Sequence, residues 1–123
     1  MEYRELNIDE ERVLRLMLDP AVDEQSILLS QLPFARVTRH WIDGLPSIDI
    51  EVEAGADRAT TTERLLPMEG QVSNENGDPT GLILVWLEGG ALAGLEYAWY
   101  SDEPPTEWPP TECISIGVRA DGA

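Results

Sequence analysis

Lysine is absent from this sequence, and cysteine and histidine each occur once, as Cys113 and His40. A single cysteine cannot form an intramolecular disulfide, so a disulfide framework is excluded. The sequence also lacks any apolar run near the roughly 18 residues that a membrane-spanning helix needs, and its start lacks the pattern of a secretory signal. We therefore expect a cytoplasmic protein that does not insert into a membrane.

Positive charge is scarce as well. The chain of 123 residues has 24 Asp and Glu against eight basic residues, all of them arginine, and its formal net charge is −16. Such a surface repels phosphate, which argues against nucleic acid or an anionic membrane as the main partner. It favours a basic protein partner or a cationic ligand, although a need for solubility alone explains the same composition.

The chain is long enough to form one domain around a single core without disulfides or metals. We divide this domain, residues 1–123, into a helical hairpin (1–33), an antiparallel sheet (34–100), and a proline-rich strap with an expected edge strand (101–123). Helices that precede strands predict an α+β fold, with two N-terminal helices packed on one face of an antiparallel sheet of about five strands.

Two helices are predicted in the N-terminal segment. The first spans about residues 9–18, with Asp9 as its N-cap and with Ile8 and Val13 as a hydrophobic staple. The second is shorter, spans about residues 21–31, and ends before a proline.

Alternation of apolar and polar residues predicts three strands, over about residues 35–42, 47–53 and 65–73. The second of these has one buried face and one acidic, hydrated face that carries Asp49 and Glu51. Paired carboxylates can ligate a hard cation, but a solvated strand face explains them without one, so we assign no metal. Both residues are candidates for binding.

The most apolar stretch, TGLILVWLEGGALAGLEYAWY (80–100), predicts a β-hairpin that turns at Gly89-Gly90. In the resulting register one face is entirely apolar and is expected to lie under the helices: Leu82, Leu84, Trp86, Leu95, Tyr97 and Trp99. The other face is too apolar for ordinary surface, and it comprises Ile83, Val85, Leu87, Leu92, Glu96 and Tyr100. Three explanations stay open: the C-terminal segment covers this face, a second copy of the chain covers it, or it binds a partner.

Prolines dominate the segment Asp102–Pro110, which must therefore be largely extended. Trp108 in its middle would be costly to leave in water, so we expect the strap to fold back onto the sheet. Residues 114–118 are expected to add a short edge strand. The alternative is that the strap is a proline-rich ligand for an aromatic groove on another protein.

Glu96 has the most distinctive predicted surroundings of any carboxylate, since the register places it beside Ile83 among aromatic residues. Such surroundings are typical of acid catalysts, whereas contact with water or an arginine gives a purely structural explanation. A nucleophile pair of Cys113 and His40 would require the fold to bring the two residues together. We assign no catalytic residue and no cofactor, and the candidate binding residues are Glu96, Tyr100, Ile83, Val85, Asp49 and Glu51.

The run PSIDIEVE (Pro46–Glu53) and the segment Pro67–Pro110 resemble a family of small uncharacterised proteins found mainly in actinobacteria. In that family a Pro-Ser-Ile-Asp strand precedes a similar hairpin and a Ser-Asp-Glu-Pro-Pro tail. Many members carry cysteines just before the Pro-Ser pair, where this chain has residues 40–45, so any metal or redox role of those cysteines does not carry over. The resemblance implies a bacterial cytoplasmic domain and supplies neither an activity nor a catalytic residue.

These patterns together favour a non-enzymatic, acidic protein-interaction domain, of the immunity or antitoxin kind, that blocks a basic protein. A small hydrolase or isomerase that uses Glu96 with a neighbouring arginine is one alternative, and a homodimeric structural module is another. An apolar patch with an acidic rim would support the interaction domain. A deep pocket with Glu96 and an arginine at its base would support the enzyme.

Overall fold

The computed structural model describes residues 3–119, which form one antiparallel sheet with two helices. The helices are α1 (Ile8–Met17) and α2 (Asp23–Ser30), and none in this part of the chain is long and apolar enough to cross a membrane. The strands are β1 (Arg4–Glu5), β2 (Ala35–His40), β3 (Ile48–Val52), β4 (Met68–Ser73), β5 (Pro79–Glu88), β6 (Ala91–Trp99) and β7 (Ile114–Val118). Their spatial order is β1-β2-β3-β6-β5-β4-β7. The predicted α+β class with an antiparallel sheet is confirmed.

The sheet has seven strands in residues 3–119, rather than the predicted five or so. One addition is β1, which pairs with β2 through Arg4 and Val37 and is too short to show any periodicity. The other is β7, the expected edge strand, which pairs with β4 along its whole length. The last part of the expected C-terminal segment, residues 120–123, lies outside the described residues.

Helix α1 begins earlier than predicted because Asn7, and not Asp9, is its N-cap. The Asn7 side chain accepts a hydrogen bond from the backbone N–H of Glu10 (2.8 Å), and the Glu10 carboxylate accepts one from the N–H of Asn7 (2.9 Å). This capping box leaves Ile8 86% exposed, so the predicted staple with the buried Val13 does not form.

Helix α2 is shorter than predicted, and the residue that follows it, Gln31, is fully buried. Its Nε2 donates to the carbonyl oxygens of Asp57 (2.7 Å) and Gly90 (3.0 Å), and its Oε1 accepts from the N–H of Leu92 (3.0 Å). One side chain therefore joins the end of α2, the loop after β3 and the hairpin turn.

The hairpin of β5 and β6 turns at Gly89-Gly90 as predicted, with φ angles of +58° and +78°. After the first pairs, however, the register shifts by one residue, and Trp86 lies opposite Gly94 instead of Ala93. The extra residue in β6 is a β-bulge. The only trace of the bulge in the sequence is a change of phase, because the buried Leu92 and Leu95 are three residues apart instead of two or four.

The prediction for the two faces of β5 is wrong as a result. Ile83 and Val85 are both 0% exposed and lie on the helix side, together with Leu87, Leu92, Leu95 and Tyr97. The residues that were expected under the helices lie half-buried on the opposite face, and they are Leu82, Leu84 and Trp86. The helix side is identified by Gly70, which pairs with Ile83 and where an added Cβ would lie 3.0 Å from Met17 Sδ of α1.

The C-terminal strap covers part of the same helix-side face. Trp108 is 8% exposed, and its ring stacks on Tyr97 with a centroid separation of 5.7 Å and an interplanar angle of 21°. The Tyr97 ring packs over Gly81, where an added Cβ would lie 2.8 Å from the ring. The three explanations assumed that the face with Ile83 lay away from the helices. It is instead the helix side, which α1 covers at Gly70 and Trp108 covers at Tyr97.

Candidate functional site

The side of the sheet opposite the helices and the strap is the outer face, and it carries several of the predicted binding residues. By register, Asp49 and Glu51 on β3 and Glu96 on β6 lie on it, and Tyr100 follows β6 and is 61% exposed. Ile83 and Val85 do not belong to this set, because both are buried in the core and present no surface to a partner.

Glu96 lies opposite Leu84, and its predicted neighbour Ile83 is on the other side of the sheet. The indole Nε1 of Trp86 donates a 2.9 Å hydrogen bond to Glu96 Oε1. No donor among residues 3–119 bonds to the second oxygen, Oε2. The side chain is therefore a half-buried carboxylate that is held at one oxygen and open at the other.

A groove of about 320 Å³ lies between β6 and the connection from β2 to β3, with Glu96 in its wall. Its other lining residues are mostly apolar: Trp41, Ile42, Leu45, Ser47, Tyr97, Ala98 and Trp99. Sequence reasoning missed this groove because it placed Trp41 and Ile42 in β2, which ends at His40. The sequence does carry one signal for the groove: Trp41 and Ile42 are successive apolar residues after an alternating strand. Two successive strand residues cannot both face the core, so at least one of them had to lie elsewhere.

Among residues 3–119, no strand pairs with the edge of β6 that lies along this groove. β3 pairs with β6 through two residue pairs, and the ladder ends at Ile48 and Leu95. Beyond that point the Ser47 hydroxyl accepts the N–H of Tyr97 (2.9 Å). The chain before Ser47 forms the far wall of the groove, and no strand among residues 3–119 pairs with this edge of β6 at Ala98 and Trp99.

Asp49 positions one wall of the groove. Its Oδ1 accepts a hydrogen bond from Trp41 Nε1 (2.9 Å), and its Oδ2 accepts one from Arg39 Nε (2.5 Å). The neighbouring Glu51 accepts a hydrogen bond from the hydroxyl of Tyr3 (3.3 Å). The charge of Glu51 raises the pKa of Tyr3, because it opposes formation of a second negative charge beside it.

The pairing of Glu96 with an arginine, which the enzyme alternative requires, is not assembled in residues 3–119. No arginine lines the groove that contains Glu96, and Arg39 is bonded to Asp49. In the same part of the chain, no group of three His, Cys, Asp or Glu residues is arranged to hold a metal ion.

His40 and Cys113 lie at opposite edges of the sheet. His40 ends β2, next to the edge strand β1, whereas Cys113 immediately precedes β7, the other edge strand. The ring nitrogens of His40 contact the carbonyl oxygen of Leu45 (2.8 Å) and the guanidinium of Arg4 (3.0 Å). The fold therefore does not assemble a nucleophile pair from the two residues.

A second charged cluster, on the helix side, has a structural role. Glu10 is 1% exposed, and its carboxylate accepts two hydrogen bonds from the guanidinium of Arg4, at 2.9 and 2.8 Å. These bonds raise the pKa of Arg4. Because Glu10 also closes the capping box of α1, the cluster joins β1 to the start of that helix.

Comparisons of the chain with protein-family models, with curated proteins and with solved structures give no match. The site must therefore be interpreted from its own geometry and charge.

Proposed function

We propose that this protein is a non-enzymatic interaction domain, of the immunity or antitoxin kind, that binds and blocks a basic protein. The observation that carries the proposal is the apolar groove with Glu96 in its wall. Ile42, in the opposite wall, is 55% exposed, so the groove offers apolar surface next to an open carboxylate. An apolar groove with a carboxylate in its wall, on a chain of net negative charge, suits a protein partner that carries exposed cationic side chains.

The charge balance supports a basic partner over a second copy of the chain. Five arginines already form ion pairs with carboxylates of the same chain, and they are Arg4, Arg12, Arg15, Arg36 and Arg39. The net charge of −16 thus reflects a large excess of carboxylates that have no internal partner to neutralise them. Two copies would repel each other, whereas a basic protein is attracted before contact and associates faster.

The place of action that we propose is the cytoplasm of a bacterium. The single cysteine supports a reducing compartment, because the fold needs no disulfide. The resemblance to the mainly actinobacterial family belongs to the same proposal. Its Pro-Ser-Ile-Asp motif includes Ser47, which lines the groove, and leads into β3, and its Ser-Asp-Glu-Pro-Pro motif begins the strap that covers Tyr97.

The test uses the proteins encoded by genes adjacent to the gene of this protein. Each one is co-expressed with it, and complexes are isolated by size-exclusion chromatography. We expect a stoichiometric complex with a basic neighbour, relief of the growth defect that this neighbour causes, and an association rate that falls at least about tenfold between low and high salt. The proposal would be contradicted by an association rate that does not change with salt concentration, or by the absence of a complex with every basic neighbour.

A further inference from the structure

We propose that the groove beside β6 binds an extended segment of the basic partner, which adds a strand to the free edge of β6 and places an arginine side chain at Glu96. The inference rests on the proposed function and specifies where the partner binds and what chemistry it presents. It follows from the backbone of β6, from the side chains in the groove and from the spacing between them.

The free edge of β6 presents backbone hydrogen-bonding groups to the groove. The peptide groups of successive residues in a strand point to opposite sides. The N–H of Tyr97 points to the groove side, where it bonds to Ser47, and the N–H of Tyr100 points to the β5 side, where it bonds to Thr80 (3.0 Å). Trp99, two residues after Tyr97, therefore directs its N–H and C=O into the groove. An added strand satisfies both groups.

The position of Ser47 determines where the added strand begins. Because Ser47 occupies the place beside Tyr97, an incoming segment pairs first with Ala98 and Trp99. Its residue opposite Ala98 points to the outer face, as Ala98 does, and is a diagonal neighbour of Glu96 at about 7–8 Å. A long side chain spans that separation, and a short one does not.

Arginine matches the chemistry of the groove at this position. Its methylene stem packs on Trp41 and Ile42, and its guanidinium reaches the open Oε2 of Glu96. The hydrogen bond from Trp86 to Oε1 holds the carboxylate in place, which reduces the entropy lost on binding. The groove lining includes no cation that would compete for Glu96.

The test uses synthetic peptides and the full chain labelled with ¹⁵N. The reference peptide has seven residues, alternating valine and threonine, with one central arginine. We expect saturable shifts of the Trp99 amide and the Trp41 indole N–H, and at least about tenfold weaker binding when citrulline, which is neutral and nearly isosteric, replaces the arginine. N-methylation of the peptide residue that pairs with Trp99 weakens binding to a similar extent.

Glu96→Gln is the decisive variant, since it keeps an acceptor for Trp86 and removes the charge. We expect the preference for arginine over citrulline to fall to near unity in Glu96→Gln and to persist in the matched control Glu107→Gln, whose side chain is exposed on the strap. The inference is overturned if Glu96→Gln still prefers arginine over citrulline. It is also overturned if the peptide shifts only NMR signals of residues in β1 or β7. If the protein dimerises without peptide and the Trp99 amide signal shifts as it does so, the groove binds a second copy of the chain, and the inference is overturned.

The same variants separate this inference from the proposed function. If the basic neighbour binds the wild-type chain, and Glu96→Gln and Trp41→Ala leave its affinity unchanged, the function stands and the groove assignment fails. If the peptides bind as expected and no basic neighbour forms a complex, the groove assignment stands and the proposed function fails.

Discussion

The side-chain Oε1 of Gln31 accepts the backbone N–H of Leu92 at 3.0 Å, one residue before the bulge in β6. A backbone donor that would otherwise serve the sheet is thus bonded to a residue 61 positions earlier in the chain. The bond lies beside the bulge that brings Leu95 and Tyr97 onto the same side of the sheet as Val85 and Ile83.

Substitution of Gln31 tests this relationship. Gln31→Leu leaves the N–H of Leu92 and the carbonyl oxygen of Asp57 without the Gln31 side chain, and it removes one of the two hydrogen bonds that the Gly90 carbonyl accepts. We expect a loss of about 3 kcal/mol in the free energy of unfolding. Urea denaturation measures the loss, and amide hydrogen exchange should show reduced protection of Leu92. The matched control is Gln71→Leu on β4, which is exposed and should change stability by less than about 0.5 kcal/mol. Equal costs for the two variants would contradict the assigned role.

The two glycines of the hairpin turn differ in their surroundings, and a pair of substitutions tests the difference. Both have positive φ, so Gly89→Ala should cost about 1 kcal/mol of stability from backbone strain alone. Gly90→Ala should cost at least ~2 kcal/mol more, because its Cβ would overlap the carbonyl oxygen of Ala59 and the backbone must move to relieve the clash. The N–H of Ala59, which donates to the Gly90 carbonyl (2.9 Å), would lose that bond. Thermal denaturation measures the stability of both variants. Similar losses of stability in Gly89→Ala and Gly90→Ala would refute the predicted difference.

Removal of the Trp108 ring tests the strap. Trp108→Ala deletes a buried ring from its stack on Tyr97, and we expect a loss of about 3–5 kcal/mol in the free energy of unfolding. Tyr100→Ala, at an exposed position in the preceding segment, should cost less than about 1 kcal/mol. If Trp108→Ala is as mild as the control, the strap does not contribute to the core in solution.

Alkaline pH should destabilise the protein through Tyr97. Burial raises the pKa of Tyr97 from its ordinary value of 10.0, because the phenolate is poorly solvated in the core. The unfolded chain therefore ionises first, so this contribution to stability is complete below pH 10 and is lost as the pH rises through the native pKa. Tyr97→Phe should show a shallower fall in unfolding free energy above pH 10 than wild type, measured by urea denaturation at fixed pH values. If the unfolding free energy of Tyr97→Phe fell as steeply with pH as that of wild type, the prediction would be wrong.

Local signals were sufficient for part of the fold. The Gly-Gly turn, the strand that carries Asp49 and Glu51, and the buried Trp108 follow from residue types and their spacing, because turns, alternation and burial of large aromatics depend on short segments. The faces of β5 could not be predicted in the same way, because every residue from Leu82 to Leu87 is apolar and the bulge changes which residues of β6 share a side with them. Strand β1 is two residues long and leaves no pattern to recognise.

The candidate site was only partly accessible to sequence reasoning. Glu96 was singled out, but for contact with Ile83, whereas its observed hydrogen bond comes from Trp86. The groove itself depends on where the ladder between β3 and β6 ends, at Ile48 and Leu95. That end point is a long-range property, and no local pattern near Trp41 or Glu96 specifies it.

The stack of Trp108 on Tyr97 also means that part of the core is covered by a segment that is synthesised later. During synthesis the hairpin leaves the ribosome before Trp108 does, so the nascent chain exposes Tyr97 and the adjoining apolar surface until the strap emerges. The covering of Tyr97 thus waits for a segment that is made after the whole hairpin.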